Sequence, residues 1–528
     1  MRADYIIIGS GSAGGLIANR LTEDSGISVL LLEAGQKEGH WTIRMPAATR
    51  NNFLGGPRNW CFETEPEPHM NNRRIFQPRG KVVGGSSSLN GMVYVRGHAR
   101  NFDDWEESGA TGWGYRDVLP YFRKLETYLP GPDDYRGASG PIRVDRHSGQ
   151  HPIEQAFIQA VAEAGYPVPA DYNGADQEGA TVFDANIHKG ERSGTAAVIS
   201  SIRERSNLRV ETRAHVTRIL IRSGRAIGVE YVQNGQTLEA HCDREVILSA
   251  GAAQSPQLLM LSGVGPADHL AEHGIETLLD LPGVGQNLHD HLEVLVKHRC
   301  ARGLSKNGLL RWHRMAMIGA QWFLTRTGPC ATTHSQVGAF LRTGADLDHP
   351  NMQYHFWPYY FEGWSPPPDK DGYCFDVGPV HTESRGWVKL ASRDPFAAPR
   401  MLLNGLSTER DRREFRECIR ITREIAAQKA FDPFRGPETV PGPDVTSDAD
   451  IDDYVRNNAN SAYHLCGTCR MGGDDMAVVT PRLNLRGVDG LRVADATVMP
   501  SITNGNTNAP SLMIGEKAAD LILKDRTL

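Results

Sequence analysis

The sequence predicts an α/β chain, α+β taken as a whole, with a dinucleotide-binding domain assembled from separated segments and a second domain built by the stretches between them. Three observations carry this expectation. The chain opens with an apolar run, Asp4–Ile8, then Gly9-x-Gly11-x-x-Gly14, then a second apolar run, Val29–Leu32, ending in Glu33. The same grammar of short apolar runs and glycine turns returns between 208 and 260 and again between 491 and 523. A length of 528 residues is too great for one ordinary core.

The first segment reads as strand, turn, helix, strand, which is the Rossmann arrangement. Gly9 permits the tight turn, Gly11 lets the backbone approach a pyrophosphate, and Gly14 lets the helix pack closely on the strand. Ser12 and Ala13 open that helix, whose free N–H groups suit phosphate charge. Glu33, nineteen positions after Gly14 and followed by Ala34, is spaced to accept from ribose hydroxyls and disfavours a 2′-phosphate. The motif alone leaves FAD and NAD both open. Residues 36–75 are rich in Gly, Pro, Asn and Arg, and carry Trp41 and Trp60 in a long excursion. A second glycine-serine loop, 79–91, follows. Residues 103–126 read as helices with an aromatic face.

Apolar runs at Leu208–Glu211, His215–Ile221, Ala226–Val232, Leu238–His241 and Glu245–Ser249, split by turns such as Ser223-Gly224 and Asn234-Gly235, predict a β-meander. Residues 251–260 read as strand, turn and helix, and 300–450 as a mixed region broken by prolines, including Pro366–Pro368. The end returns to α/β grammar: strand Leu491–Asp495, a loop over 500–509, and an amphipathic helix over Ser511–Leu523.

The net charge of −6 gives no basic footprint for nucleic acid. No run of about 18 apolar residues predicts a transmembrane helix. The start enters a strand with no signal-peptide pattern, so the expected address is the cytoplasm, with peripheral attachment at the inner membrane left open. Eight scattered cysteines read as reduced thiols. His464-x-Cys466-x-x-Cys469 lacks a second ligand pair, so no metal is expected.

Four features combine: the N-terminal motif; Gly84-Gly-Ser-Ser-Ser-Leu-Asn-Gly91; Ala250-Gly-Ala-Ala-Gln-Ser-Pro256 with Ser262-Gly-Val-Gly-Pro266; and Tyr463-His464 with Gly505-Asn-Thr-Asn-Ala-Pro510. Together they resemble the glucose–methanol–choline (GMC) oxidoreductases. Asn59–Pro68, Leu281–His291 and Cys466–Met471 look most like the bacterial choline dehydrogenase and FAD-dependent alcohol dehydrogenase group. The resemblance implies FAD and oxidation of a primary alcohol to an aldehyde. His464 would take the hydroxyl proton while hydride passes to flavin N5, and Asn506 would hold the same oxygen. Asn508 is a second candidate for that partner. The C-terminal helix would aim its N-terminal dipole at the flavin pyrimidine.

The resemblance further implies cofactor contacts from Gly9, Gly11, Ser12, Ala13, Gly14, Glu33, Ala34, Val83, Gly85, Ser86, Asn90, Gly91, Val93, Val216, Ala250, Asp495, Ala496, Asn506 and Thr507. Leu89 occupies the position where some members attach FAD through histidine, so FAD is expected to be non-covalent. Gln336 stands where choline-oxidising relatives are expected to carry a carboxylate, which weakens a choline reading. Against that, Tyr354–Trp364 is dense in aromatics that can cage a cation, Glu362 can supply charge, and Gln336, His355, Trp357 and Asn508 are the expected substrate contacts.

The expected FAD domain comprises 1–36, 74–105, 205–298 and 455–528; the substrate domain and flavin-covering segments comprise 37–73, 106–204 and 299–454. The acceptor would be oxygen, a quinone or another carrier, and a homodimer is an expected assembly. Alternatives are an aliphatic, aryl or polyol alcohol oxidase or dehydrogenase, a hydroxynitrile-lyase-type FAD protein, and an NAD-linked dehydrogenase using the first motif alone.

Overall fold

The computed structural model describes residues 1–363 and 365–526, so Trp364 of the aromatic run lies outside the described residues. Two large sheets dominate. The first has seven strands, in the order Leu208–Thr212, Val29–Glu33, Arg2–Ile8, Gln236–Leu248, Arg225–Gln233 and Ala214–Arg222, with Leu491–Val493 also pairing with Gln236–Leu248. Pairing is parallel around Arg2–Ile8 and antiparallel in the hairpins after Ala214. Strand Val29–Glu33 is buried throughout, which is why it reads as an unbroken apolar run.

The helices Ser12–Leu21 and Asn508–Arg526 pack against each other. A Cβ added at Gly515 would meet Ala13 Cα at 2.6 Å, so the two ends of the chain touch through backbone.

The second sheet runs Glu438–Val440, Leu292–Arg299, Gly372–Pro379, Met352–Trp357, Val337–Leu341 and Gly179–Val182, with Asn460–Ser461 also pairing with Leu292–Arg299. Alternation along antiparallel strands sorts its faces. Met352, Tyr354 and Phe356 join a core with Val294, Val296, Phe375 and Val377, under the helices Pro152–Glu163 and Glu409–Ala426. Gln353, His355 and Trp357 fall on the other face. His355 and Leu295 both lie opposite Asp376 in register.

Several expectations change. Leu208–Thr212 is not part of the meander; it pairs in parallel with Val29–Glu33 and extends the first sheet. Leu238–His241 and Glu245–Ser249 are one strand, Gln236–Leu248, because Arg2–Ile8 pairs on both sides of the polar break. The helices of 103–126 are Ala99–Glu107 and Tyr115–Leu125. The final helix begins at Asn508 and is buried from Ala509 to Ala519, so it is not amphipathic over that stretch. Glu516 within it is held by Arg20 at 2.8 Å and Lys124 at 3.0 Å. Strand Leu292–Arg299 belongs to the second sheet, although it falls within the 205–298 segment expected in the first domain. Among the described residues, no helix is long and apolar enough to cross a membrane.

One buried charge network braces the segments between the sheets. Glu126 Oε1 lies 2.7 Å from Arg96 and 2.9 Å from Arg136, and Arg136 Nη1 reaches Asp184 at 2.7 Å and Asp171 at 3.0 Å. The Arg136 guanidinium also sits 3.5 Å from the Tyr128 ring centre. Breaking such a pair leaves an uncompensated buried charge. Glu126→Ala is therefore expected to destabilise the protein by about 3 kcal/mol or more, read as a lowered denaturant midpoint relative to wild type.

Candidate active site

A cavity of about 820 Å³ lies between the two sheets. At its first end the glycine turn is dictated by space. Gly9 has φ +94°, and a Cβ there would meet Ser249 O at 2.4 Å. A Cβ at Gly14 would stand 2.1 Å from Gly9 O, so this glycine serves helix packing behind the cavity. Gly11 differs: a Cβ there meets nothing within 4 Å and would project where Gly11 lines the cavity. The helix Ser12–Leu21 has no side-chain cap, which leaves its first N–H groups for an anion.

Glu33 Oε2 accepts the Ser10 N–H at 3.1 Å and the Ser10 hydroxyl at 2.5 Å, while Oε1 accepts the Gly35 N–H at 2.7 Å. Burial pushes its pKa up against those hydrogen bonds. Ser12, Ala13, Ala34, Gly85, Ser86, Asn90, Gly91, Val93, Val216, Ala250, Asp495, Ala496 and Thr507 also line the cavity. Arg192 anchors the second glycine-serine loop by donating to Asn90 O at 2.8 Å and to Asn90 Oδ1 at 2.5 Å. Asp495 is also structural: it accepts from Gly251 N at 2.8 Å, Ser255 Oγ at 2.6 Å and Thr497 N at 2.8 Å. Val83 does not line the cavity. Its side chain is fully buried in the first core, and its carbonyl accepts from Ser88 Oγ.

At the other end stands His464. Tyr463 before it has φ +66°, an unusual conformation for a bulky residue. It is held by Ser461 Oγ accepting Tyr463 N–H at 2.7 Å and by Arg79 Nη2 donating to Tyr463 O at 2.7 Å. Asp290 Oδ1 accepts the His464 N–H at 2.7 Å, and Asp290 Oδ2 accepts from the Ser461 hydroxyl.

A chain of hydrogen bonds assigns the imidazole tautomers. His291 Nε2 lies 3.1 Å from the Val380 carbonyl, which can only accept, so that nitrogen carries the proton. His291 Nδ1 is then a lone pair, and His464 Nδ1, 3.0 Å away, must donate to it. His464 Nε2 is left as a lone pair facing Asn506 Nδ2 at 3.1 Å. Asn506 Oδ1 in turn accepts from Gln353 Nε2 at 3.2 Å. Burial, reinforced by His291, His355 and Arg79, holds the His464 pKa well below the usual histidine value. Burial alone lowers His355 to about 4, and it is the main cause of the lowering of His291 to about 3. The cluster is neutral at pH 7. Asn508 is turned elsewhere, its Oδ1 accepting from Ser12 Oγ at 2.8 Å.

The second sheet supplies the facing wall. His355, Trp357, Glu293 and Asp376 line it. Trp357 Nε1 donates to Asp376 Oδ2 at 3.2 Å. Burial raises both carboxylates; the neighbouring charges of Asp376 and Asp290 raise Glu293 further, and Asp376 is brought to about 7. Burial and the charge of Asp376 thus favour the protonated form of Glu293.

Gln336 is not a substrate contact here: it lies off the cavity, with Oε1 accepting from Gly149 N at 3.3 Å and Ser148 Oγ at 3.4 Å. Glu362 is exposed and paired with Lys370, so it supplies no charge to the wall. Of the aromatic run, Tyr354 and Phe356 are core, while Trp357, Tyr359 and Phe361 line the cavity.

Sequence reading missed Glu293, Asp376, His291 and Asp290. The available signal was a carboxylate inside an apolar strand: Glu293 between Leu292 and Val294, and Asp376 between Phe375 and Val377. Cys466 and Cys469 are free, buried thiols whose pKa values are raised by burial.

Patterns described as GMC oxidoreductase match residues 3–293 and 382–515. The chain belongs to the GMC oxidoreductases. It is 47% identical to the mitochondrial choline dehydrogenase of Homo sapiens, over 98% of this chain and 89% of the human protein. It is likewise 47% identical to the oxygen-dependent choline dehydrogenase of Vibrio vulnificus, over 99% and 95%. Among solved structures it matches pyridoxine 4-oxidase from Mesorbium loti with a TM-score of 0.90 and 31% identity, covering 99% of both chains.

This GMC oxidoreductase is an FAD-dependent enzyme acting on the CH–OH group of an alcohol, which sets aside the NAD-linked and lyase alternatives. The residues present fit FAD: open space over Gly11, an uncapped helix start, and a cavity continuing from there to His464. Gly11→Val places a side chain in that space, its Cβ meeting nothing within 4 Å. It is expected to leave far-UV circular dichroism unchanged while the flavin-to-protein ratio of the purified enzyme falls at least tenfold.

Proposed function

We propose that this enzyme oxidises a primary alcohol carrying a positive charge, as choline does, to its aldehyde. The observation that carries the proposal is the pair Glu293 and Asp376 beside Trp357, on the wall facing the His464 lone pair. A cation placed there meets carboxylate charge and an aromatic face. The names of the human and Vibrio vulnificus relatives support the same substrate class. The acid expected at Gln336 has its counterpart in Glu293, which removes the objection to choline.

FAD, when bound, supplies the hydride acceptor. His464 Nε2 takes the hydroxyl proton, because its lone pair is fixed by the donation of Nδ1–H to His291. Asn506 keeps that lone pair oriented and donates to the alcohol oxygen as it gathers charge, with Gln353 holding its amide plane. Neutral His291, His355 and His464 place no full positive charge against the incoming cation.

We assign the cofactor contacts to the cavity-lining residues named above and omit Val83 and Gly14, which lie off the cavity. FAD is held without a covalent bond, since Leu89 offers no nucleophile. The first sheet and its helices form the FAD domain and the second sheet the substrate domain, with Leu292–Arg299 on the substrate side. Oxygen, named for the Vibrio vulnificus relative, or a membrane-borne quinone accepts the electrons.

His464→Ala is expected to retain FAD while anaerobic flavin reduction by choline slows at least about a hundredfold; reduction near the wild-type rate would remove His464 as the base. The carboxylate pair predicts a second signature. Its pKa is raised, so protons neutralise it as pH falls below about 7 and cation binding weakens. With choline, kcat/KM should fall about tenfold per pH unit below that point, as for loss of one charge. The neutral carbon isostere of choline should lack this limb, and Asp376→Asn should remove it for choline.

A further inference from the structure

The helix Trp312–Thr325 is a single layer of structure with its apolar residues turned outward. Only Trp322 is fully buried, packed with Met45, Ala48 and Cys330 and tied by its Nε1–H to Gly190 O at 2.8 Å. Trp312 is 82% exposed, Met317 68% and Leu324 84%, with Met315 and Phe323 about half exposed. At 3.6 residues per turn, Ile318 and Trp322 share the inner side. Trp312, Met317, Phe323 and Leu324 fall on the opposite arc, where only Ala316, Ala320 and His313 separate them, while Met315 borders the inner side. Trp41, itself exposed, stacks edge-on against Phe323 at 5.6 Å and widens the patch.

The charge around this helix is one-sided. From Val294 to Ala345 the chain has no Asp or Glu and eight Lys or Arg, in a protein whose net charge is −6. Glu154, Glu191 and Glu178 from other segments pair with Lys306, Arg326 and Arg342. Arg302, Arg311 and Arg314, next to the exposed helix, have no carboxylate partner among the described residues. Arg50, on the same rim, has none either.

An exposed aromatic and aliphatic stripe bordered by unpaired arginines is the pattern of a helix lying in a membrane interface. At 14 residues the helix is too short to span a bilayer. A second copy of this chain is a poor occupant, because two surfaces bearing arginines without carboxylate partners would face each other.

We propose that this face docks on an anionic lipid surface, with Trp312, Phe323 and Leu324 entering the interface and Arg302, Arg311 and Arg314 meeting lipid phosphates. Leu310, Met315, Arg50 and Leu54 belong both to this rim and to the lining of the active-site cavity. Docking therefore sets the cavity mouth at the headgroups, whichever alcohol is the substrate.

The test is co-sedimentation of the holoenzyme with vesicles of phosphatidylcholine alone or mixed with phosphatidylglycerol. The expected result is at least tenfold stronger binding to the anionic vesicles, weakened by salt, with a blue-shifted tryptophan emission. The double variant F323S/L324S, and separately R311E/R314E, should lose that binding at least tenfold. Both should keep wild-type flavin content and turnover with a water-soluble electron acceptor. Equal binding to neutral and anionic vesicles, or no binding to either, overturns the proposal. So does a fall from dimer to monomer in F323S/L324S without any vesicle binding by the wild type, which would make the face a contact between copies.

Discussion

The active site depends on what one buried carboxylate holds. Asp290 stands just before the strand Leu292–Arg299 and accepts from the His464 N–H, the Ser461 hydroxyl, the His291 N–H and Gln77. Gln77, Ser461 and His464 come from segments far from Asp290 in sequence, and without it their buried donors would be left unpaired. Burial pushes the Asp290 pKa up to about 6, so the carboxylate is retained at a desolvation cost that its hydrogen bonds offset. Through it the strained Tyr463 turn is fixed, and with it the line of nitrogens from Val380 O to Asn506.

That line gives the cavity a polarity. At one end His291 and His464 are kept neutral by burial, and His464 presents a lone pair. On the facing wall stand two carboxylates, Glu293 and Asp376, whose pKa values burial raises. An alcohol with a cation at its far end is the molecule whose two ends match both features at once. A neutral alcohol meets only the first.

The sequence was legible where local backbone constraint speaks through residue type. Gly9 and Gly14 can be read because any side chain there collides with backbone, and Val29–Leu32 because both faces of a parallel strand are covered. His464 and Asn506 were found through the resemblance; the structure puts them 3.1 Å apart, while Asn508 bonds Ser12. What stayed hidden depended on register between distant strands. Nothing near Glu293 says that Asp376, some eighty residues later, lies on the same sheet face, nor that Gln336 turns toward Gly149. Leu208–Thr212 was misjudged for the same reason, since its partner is a strand near the N-terminus.

The contact between Gly515 and Ala13 has a consequence for biosynthesis. The glycine-rich turn that begins the cofactor site is made almost 500 residues before the helix that packs against it. Until the helix Asn508–Arg526 has left the ribosome, the helix Ser12–Leu21 has an uncovered face and the cavity is incomplete. Flavin capture is thus a late event, and a prematurely ended chain has no cofactor to stabilise it. A chain that lacks this helix has neither that packing nor a closed cofactor site.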